Sequence, residues 1–224
     1  MGDPHDQAVK VGLRQERTGR RALMAEYDDR AALLVVDVQN DFADPGGSLH
    51  VKEGEDVIPF ANQEIEKALD AGALVLYTQD WHPANTPHFQ KDGGIWPVHC
   101  VQGTWGADFH PDLNLKGQVV QKGVGGEDGY SGFTVRDPLS GAEEGTDLEP
   151  LLRRHGIERV VIVGLATDYC VKETALDARR LGFDAAILVE GVRGVNLQPG
   201  DDERALHEAM LAGARVEGVQ GGSG

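Results

Sequence analysis

Apolar runs rich in β-branched residues alternate along the chain with segments whose apolar positions recur at helical spacing. AALLVVDV is the clearest of these runs, and its nearly unbroken apolar character is typical of a strand buried on both faces. The runs predict six strands, at Ala31–Val38, Ala73–Asp80, Gln118–Lys122, Arg159–Leu165, Asp184–Gly191 and Ala214–Val219.

Four segments between these runs show helical periodicity. They are Glu55–Gly72, Thr146–Gly156, Ala166–Gly182 and Asp201–Gly213, and each ends in glycine, a residue that commonly stops a helix. Because strands and helices alternate, the sequence predicts an α/β fold with a six-stranded, mainly parallel sheet. The long irregular stretch Trp81–Leu115 is rich in Gly, Pro and His, and irregular segments of such length are usually functional.

The two ends of the chain differ from the segment between them. Residues 1–25 carry charges throughout and lack the apolar stretch of a signal peptide, so they are predicted to be a disordered extension. Met24 is a natural start for the folded part. Residues 26–219 are predicted to form a single domain, since roughly 200–250 residues suit one α/β domain. Residues 220–224 are predicted to be a flexible tail.

Composition narrows the range of partners and compartments. The chain has 37 Asp and Glu against 21 Lys and Arg, and its net charge of −16 would repel the phosphates of nucleic acids. No apolar run reaches the roughly 18–20 residues that span a bilayer, so no membrane association is expected. Two cysteines are too few for a disulfide scaffold, and they favour a reducing cytoplasm.

Polar residues lie at or just beyond the ends of the first four predicted strands. Asp37 and Asp80 close the first two strands, and Lys122 closes the third. Cys170 follows the fourth strand, in the first turn of a helix. Ligands of open parallel sheets bind at the carboxyl ends of the strands, so these side chains are expected to share one crevice. Each of these four residues, taken alone, could have a purely structural role. The packing of the fold does not require all four to lie at neighbouring strand ends.

Cys170 is the candidate nucleophile of this set, although free cysteines are most often buried as small hydrophobic residues. A helix N-terminus favours the thiolate by about 0.3–1 kcal/mol. That is less than one pKa unit, at about 1.4 kcal/mol per unit, and a free thiol has a pKa of about 8.5. A nucleophilic Cys170 therefore needs a neighbouring base and cation, for which Asp37 and Lys122 are the candidates.

A second cluster of candidates begins at the end of the second predicted strand, in DWHPANTPHF. Asp80 and His82 point the same way if the strand continues, and His88 and His99 follow in the irregular stretch. Imidazole and carboxylate ligands suit Zn, Fe or Mn better than Ca or Mg. The sequence therefore predicts a divalent metal site, with Zn as the first choice. Four other histidines are not expected to belong to this site: His50, His110, His155 and His207.

Five segments together resemble one known family. They are VDVQNDF (36–42), the block from DWHP to WPVHC (80–100), VQGTWGADFHPDL (101–113), the block from KG to YSGF (122–133) and VGLATDYCV (163–171). From about Ala31 to Val219, the chain resembles the nicotinamidase branch of the isochorismatase-like cysteine hydrolases. The resemblance implies a Rossmann-like, three-layer α/β/α sandwich in which the six-stranded sheet lies between helices.

The resemblance also implies catalytic roles. Cys170 would be the nucleophile, with Asp37 and Lys122 completing the triad. The backbone amides of Ala166 and Cys170 would form an oxyanion hole, next to a cis peptide bond between Leu165 and Ala166.

A metal site and a substrate pocket are implied as well. The metal ligands would be Asp80, His82, His88 and His99. The pocket would be walled by Phe42, Trp96, Tyr130 and Leu165. Gln39 lies in the same motif without an assigned role. The Gly-rich, acidic loop VGGEDG (124–129) departs from the family pattern, which leaves the pocket wall undefined there.

The implied activity is hydrolysis of nicotinamide to nicotinic acid and ammonia, a step of NAD salvage, through a cysteine thioester. The metal would hold the pyridine nitrogen. Pyrazinamide is a further candidate substrate, and a homo-oligomer is the expected assembly. Three alternatives remain open: an amidase of the same superfamily that acts on a carbamoyl or maleamate-like substrate, a zinc hydrolase in which Cys170 is structural, and a binding protein without activity.

Overall fold

The computed structural model describes residues 27–218. Within this range the chain forms eight strands and five α-helices. Four features predicted from the sequence lie outside the described residues: the extension at 1–25, the start at Met24, the tail at 220–224 and Val219, the last residue of the final predicted strand.

A parallel sheet of six strands forms the middle of the molecule. Its strands are β1 (Ala31–Val36), β2 (Leu74–Asp80), β3 (Gln118–Lys122), β6 (Arg159–Leu165), β7 (Asp184–Arg193) and β8 (Arg215–Glu217). Their order across the sheet is β3-β2-β1-β6-β7-β8, and every neighbouring pair is parallel. The predicted α/β class and six-stranded sheet are therefore confirmed.

Two further strands, β4 (Thr134–Arg136) and β5 (Glu143–Gly145), form a separate antiparallel hairpin that the apolar pattern does not predict. Each is three residues long, and neither contains a buried residue. The connection between them is held by Asp137, whose carboxylate accepts hydrogen bonds from the amides of Leu139 and Ser140. So short and exposed a strand has no apolar run by which to recognise it.

Five α-helices accompany the sheet. They are α1 (Asn40–Ala43), α2 (Val57–Asp70), α3 (Leu148–Arg154), α4 (Lys172–Arg180) and α5 (Asp201–Leu211). The four predicted helices are present but shorter than their patterns, and α1 is an addition. A turn of 3-10 helix precedes α2, and a π-helical turn at Thr167–Val171 precedes α4. None of the helices within residues 27–218 has the length and apolar character needed to cross a bilayer.

The alternation of side chains along β1 produces two cores. Leu33 and Val35 pack with α2 on one face of the sheet. Leu34 and Val36 pack with α3 and α4 on the other face. Because both faces are covered, every residue of β1 is fully buried, which explains its unbroken apolar sequence. The sheet therefore lies between two helical layers, as a three-layer sandwich requires.

The order of the strands reverses beside β1. The chain runs outward from β1 through β2 to β3, and then returns to place β6 on the other side of β1. The carboxyl ends of β1 and β6 therefore border the crevice that such a reversal opens. β1 ends at Val36, two residues before its predicted end, because Asp37 adopts a left-handed backbone conformation with φ of 49°. Asp37 thus leaves the sheet at the edge of this crevice.

Candidate active site

Asp37, Lys122 and Cys170 meet at the carboxyl ends of β1, β3 and β6. Lys122 Nζ lies 2.7 Å from Asp37 Oδ2 and 3.7 Å from Cys170 Sγ. A carboxylate oxygen of Asp37 and the sulfur of Cys170 lie within 4.8 Å of each other. All three side chains are buried. The fold therefore brings together the three residues that the sequence proposes as a triad.

Lys122 is only 1% exposed, and carboxylate and carbonyl oxygens surround its ammonium group. Besides Asp37, it contacts the carboxylate of Asp80 and donates to the carbonyl oxygen of Gly129. Burial alone would lower the pKa of a lysine, but the two carboxylates outweigh it and hold the pKa of Lys122 well above its ordinary value. Lys122 is therefore a permanent buried cation.

Asp37 is fully buried, and both of its carboxylate oxygens have partners. Thr78 Oγ1 donates a hydrogen bond of 2.7 Å to Oδ1, and Lys122 lies against Oδ2. Burial raises the pKa of the Asp37 carboxyl above its ordinary value, although Lys122 acts in the opposite direction. A carboxylate with a raised pKa is a stronger base, so Asp37 is suited to take a proton from the neighbouring thiol.

Cys170 lies in the π-helical turn Thr167–Val171, directly after β6. Burial raises the pKa of its thiol well above the ordinary value, and Lys122 offsets this effect only in part. The pull of a helix N-terminus toward the thiolate, worth about 0.3–1 kcal/mol, is too weak to reverse it. Cys170 is therefore a neutral thiol at rest and needs a base before it can act as a nucleophile.

Asp80 connects this triad to the histidine cluster. One of its carboxylate oxygens contacts Lys122, and the other lies 3.7 Å from His82 Nε2 and 3.9 Å from His99 Nε2. Burial would raise the pKa of this carboxyl, but Lys122 and then the two histidines outweigh burial, and its pKa lies below the ordinary value. Asp80 therefore remains a carboxylate between the two groups.

His82, His88 and His99 each bring a ring nitrogen to within 4.8 Å of the nitrogens of the other two. All three rings are buried. Burial lowers the pKa of His99 to about 4, so its ring is neutral, which is the form that binds a metal. Oδ2 of Asp80 lies beside two of these rings, those of His82 and His99. That these four residues bind an ion stays a prediction.

His82 indicates that the cluster fits a metal ion. It is fully buried, and neither of its ring nitrogens has a hydrogen-bond partner among the residues that the structure describes. A buried polar group left unpaired costs about 1–3 kcal/mol. An ion bound to one of the two ring nitrogens would remove that cost for that atom, and a set of imidazole and carboxylate donors is typical of Zn, Fe and Mn sites.

Gln39, which has no assigned role at the level of the sequence, holds the backbone of Asp80. Its Nε2 donates to the carbonyl oxygens of Asp80 and Ala107, at 2.8 and 2.9 Å, and its Oε1 accepts from the Asp80 amide at 2.8 Å. The side chain therefore pairs with the end of β2 as a neighbouring strand would. Gln39 was visible within the VDVQNDF motif, but its partners lie far away along the chain.

Two residues of the loop at 124–129 also contact the site. Asp128 Oδ1 lies 2.6 Å from His88 Nδ1, and the carbonyl oxygen of Gly129 accepts a hydrogen bond from Lys122. Nothing in the sequence of this Gly-rich, acidic loop distinguishes these two residues from their neighbours.

A cavity that is partly open to solvent lies over Cys170. Phe42, Trp96 and Tyr130 line it, as expected, together with Tyr169. Trp96 Nε1 donates a hydrogen bond of 2.8 Å to the Tyr130 hydroxyl, and the Tyr169 ring packs edge-on against Trp96 with centroids 4.8 Å apart. The cavity is therefore bounded by aromatic rings that hold one another in place.

The same cavity reaches the histidine cluster, because Asp80, His88 and His99 also line it. Leu49 and Val195, which the sequence does not single out, complete its apolar wall. A ligand in this space would contact the thiol at one point and the histidine cluster at another.

The peptide bond between Leu165 and Ala166 is cis, as the family resemblance implies. Ala166 lines the cavity, but Leu165 does not. Leu165 is fully buried in the core on the α2 side of the sheet, so it is not the pocket wall that was expected. Its side chain belongs to the packing of β6, and only its peptide bond borders the site.

Comparison with known proteins gives matches over most of the chain. Residues 31–220 match the family model described as the isochorismatase domain. The chain is 41% identical over 203 residues to the nicotinamidase of Escherichia coli (strain K12), which covers 83% of this chain and 93% of that relative.

Two solved structures resemble the fold described above. The pyrazinamidase of Pyrococcus horikoshii, in complex with zinc, has a TM-score of 0.74 and 45% identity, covering 84% of this chain and 98% of its own. PnC1 from L. infantum, in complex with nicotinate, has a TM-score of 0.76 and 36% identity, covering 87% of this chain and 96% of its own.

Proposed function

This chain belongs to the isochorismatase family, on its nicotinamidase branch, and from that premise we propose that it hydrolyses nicotinamide to nicotinic acid and ammonia. The main support for the proposal is that one cavity is lined by Cys170, by the aromatic rings and by two histidines of the cluster. A flat, neutral aromatic amide fits between such rings. Nicotinic acid released here would enter NAD salvage.

The metal of this proposal is a divalent ion, with Zn as our choice. Asp80, His82, His88 and His99 would hold it. When bound, it supplies a Lewis acid that binds the pyridine nitrogen, orients the ring and withdraws electron density from the carboxamide. Two observations support this: the unpaired, buried ring of His82, and the zinc in the related pyrazinamidase of Pyrococcus horikoshii.

The first chemical step forms a bond between Cys170 Sγ and the carboxamide carbon. Asp37 takes the thiol proton during the attack, which its raised pKa favours. The electron pair of the C=O bond moves to oxygen, where the backbone amides of Ala166 and Cys170 stabilise it. One donor of this kind typically contributes about 10²–10³ in rate. Lys122 stays protonated and keeps Asp37 in place.

The second step expels ammonia and the third restores the thiol. Asp37 donates its proton to the leaving nitrogen as the C–N bond breaks, which leaves a thioester on Cys170. Asp37 then takes a proton from water, whose oxygen attacks the thioester carbon. The C–S bond breaks, the sulfur recovers its proton and nicotinic acid leaves. One water is consumed for each ammonia released.

The thiol chemistry sets a condition on the compartment. A nucleophilic cysteine must stay reduced, and both Cys100 and Cys170 are free thiols buried in the fold. These free thiols support the cytoplasmic location that the cysteine count predicts.

A maleamate-like substrate is the less favoured alternative. Such a substrate has no ring nitrogen for the proposed metal to bind, and its carboxylate would need a cation or several donors elsewhere in the cavity wall. No Lys or Arg occurs among the lining residues, all of which lie in the described part of the chain. Lys122, the nearest ammonium group, is already in contact with Asp37 and Asp80.

Ammonia release by the purified, zinc-loaded protein tests the proposal, with maleamate and an N-carbamoyl compound as parallel substrates. We expect release from nicotinamide and little from the other two. Release from maleamate alone would overturn the proposed substrate, and release from none would favour a binding protein.

The role of the cysteine is tested by Cys170→Ala, with Cys100→Ala as the matched control, since Cys100 is buried and free but does not line the cavity. We expect Cys170→Ala to lose about 10³-fold or more in kcat while it still binds zinc, and Cys100→Ala to retain its activity. Equal activity of Cys170→Ala and the wild type would overturn the thioester route.

A further inference from the structure

A carboxylate outside the predicted ligand set lies against one of the histidines. Asp128 Oδ1 is 2.6 Å from His88 Nδ1, and nothing in the family resemblance gives Asp128 a role. We propose that Asp128 is a positioning residue of the metal site, which fixes the ring of His88 so that Nε2 is the nitrogen presented to the ion. The inference rests on the proposed metal site and deepens it.

The contact determines where the proton of His88 lies. An ionised carboxylate can only accept a hydrogen bond, so Nδ1 of a neutral His88 must be the donor. That leaves Nε2 with a lone pair for a metal. His99 is arranged in the same way, since its Nδ1 lies 2.7 Å from the carbonyl oxygen of Pro97. Two histidines of the cluster therefore have their Nδ1 atoms engaged by oxygen acceptors.

Asp128 differs from Pro97 in that it brings a charge. A carboxylate that accepts the Nδ1 proton makes the imidazole a stronger ligand, in addition to fixing its orientation. The side chain of His88 is 3% exposed and that of Asp128 is 19% exposed, so the contact lies largely away from solvent.

The backbone around Asp128 is held firmly enough to position a ring. Its amide donates to the carbonyl oxygen of Arg136 at 2.7 Å, and its carbonyl oxygen accepts from the Arg136 amide at 2.9 Å. Two residues earlier, the carbonyl oxygen of Gly126 accepts a hydrogen bond of 2.5 Å from Thr86 Oγ1. The loop at 124–129 is therefore tied both to the hairpin and to the segment that carries His88.

The loop also contacts the triad. Gly129, next to Asp128, accepts a hydrogen bond from Lys122, and Tyr130 forms part of the cavity wall. One short segment thus supports the histidine cluster, the buried lysine and the substrate wall. Asp128 is its point of contact with the cluster.

Zinc affinity tests the inference, measured by competition with a chromogenic chelator on the full chain. Asp128→Ala should bind zinc about 10–100-fold more weakly than the wild type, which is the usual effect of losing such a partner. Asp128→Asn keeps a side-chain oxygen that can accept the Nδ1 proton, so it should recover part of the loss. Glu127→Gln removes a neighbouring charge of the same loop and should leave the affinity unchanged.

A second measurement separates positioning from general stabilisation. In the metal-free proteins, ¹H–¹⁵N spectra of the histidine rings should show His88 protonated at Nδ1 in the wild type and a mixture of tautomers in Asp128→Ala. A loss of thermal stability in Asp128→Ala, with zinc affinity and the His88 tautomer unchanged, would overturn the role of Asp128. A wild-type protein that binds no zinc would overturn the metal site itself, which the wild-type titration reveals before any variant is compared.

Discussion

Three charges share the buried space beneath Cys170. The ammonium group of Lys122 contacts both Asp37 and Asp80, so two carboxylates share one cation. Burial is the main cause of the raised pKa of Asp37, and the nearby charge of Asp80 adds to it. A divalent ion beside Asp80 would offset the surplus negative charge. The acid–base residue and the metal site are therefore linked through one carboxylate.

Lys122→Met would leave two carboxylates buried without their cation. Removing one partner of a buried ion pair costs about 3–5 kcal/mol, and we expect the free energy of unfolding in urea to fall by about that amount. Lys116→Met is the control, because Lys116 is exposed and just precedes the same strand. Equal urea midpoints for the two variants would contradict the view that Lys122 neutralises the site.

Gln39→Ala would remove three hydrogen bonds to the backbone of Asp80 and Ala107. Each buried group left unpaired costs about 1–3 kcal/mol, so we expect a loss of roughly 2 kcal/mol or more in urea unfolding. Gln121→Ala serves as the control, since Gln121 is exposed and makes one hydrogen bond to another side chain. A Gln39 variant as stable as the control would show that water replaces these bonds.

At the scale of elements, the strands were predictable and the loops that complete the site were not. β3 and β6 match their predicted bounds. The positions of Asp80 and Lys122 at strand ends followed from the apolar pattern alone. The family resemblance was wrong about Leu165 as a pocket wall. The apolar pattern could not correct it, since a strand buried on both faces is apolar throughout and does not reveal which face a given residue points to.

Long-range contacts between loops leave no periodic trace in the sequence. Asp128 reaches His88 across 40 positions, and Gln39 reaches Asp80 across 41. Such contacts depend on the path of irregular segments, which is set by tertiary packing rather than by local propensity. The sequence therefore predicted which residue types gather at the strand ends, but the partners that orient them required the structure.

The loop after β3 requires glycine at position 123. Gly123 has φ of 71°, and a Cβ there would lie 2.5 Å from Cε1 and 2.6 Å from Nδ1 of His82. Gly123→Ala should therefore displace a buried histidine, and we expect zinc affinity to fall by about tenfold or more in a chelator competition.

Gly125→Ala is the control for this prediction because it lies in the same loop. The nearest atoms to a Cβ at position 125 belong to the end of the Glu127 side chain, which can rotate away if it gives up its hydrogen bond from the Gly125 amide. The control should keep the affinity of the wild type. If both variants bind zinc as tightly as the wild type, the space beside His82 does not constrain the cluster.

For the molecule as a whole, the site exists only when the chain is folded. Its residues come from the position after β1, from the end of β2 and the segment after it, from the end of β3 and from the turn after β6. These segments are distant in sequence, and the reversal of strand order beside β1 brings them together. An ion that binds this arrangement has no equivalent site in the unfolded chain, so its binding must increase the stability of the fold.

Thermal unfolding with and without zinc measures this link. At a free zinc concentration about 100-fold above Kd, the ion should contribute about 2.7 kcal/mol, which raises Tm by roughly 5–11 °C for a chain of this size. His82→Ala should abolish the rise, whereas His207→Ala, at an exposed position of α5, should preserve it. Without zinc, His82→Ala loses the packing of a buried ring, which lowers stability. It also removes two ring nitrogens that have no hydrogen-bond partner in the described structure, so the loss of stability is partly offset. The two histidine variants should therefore differ chiefly when zinc is present, and equal responses to zinc would place the ion elsewhere.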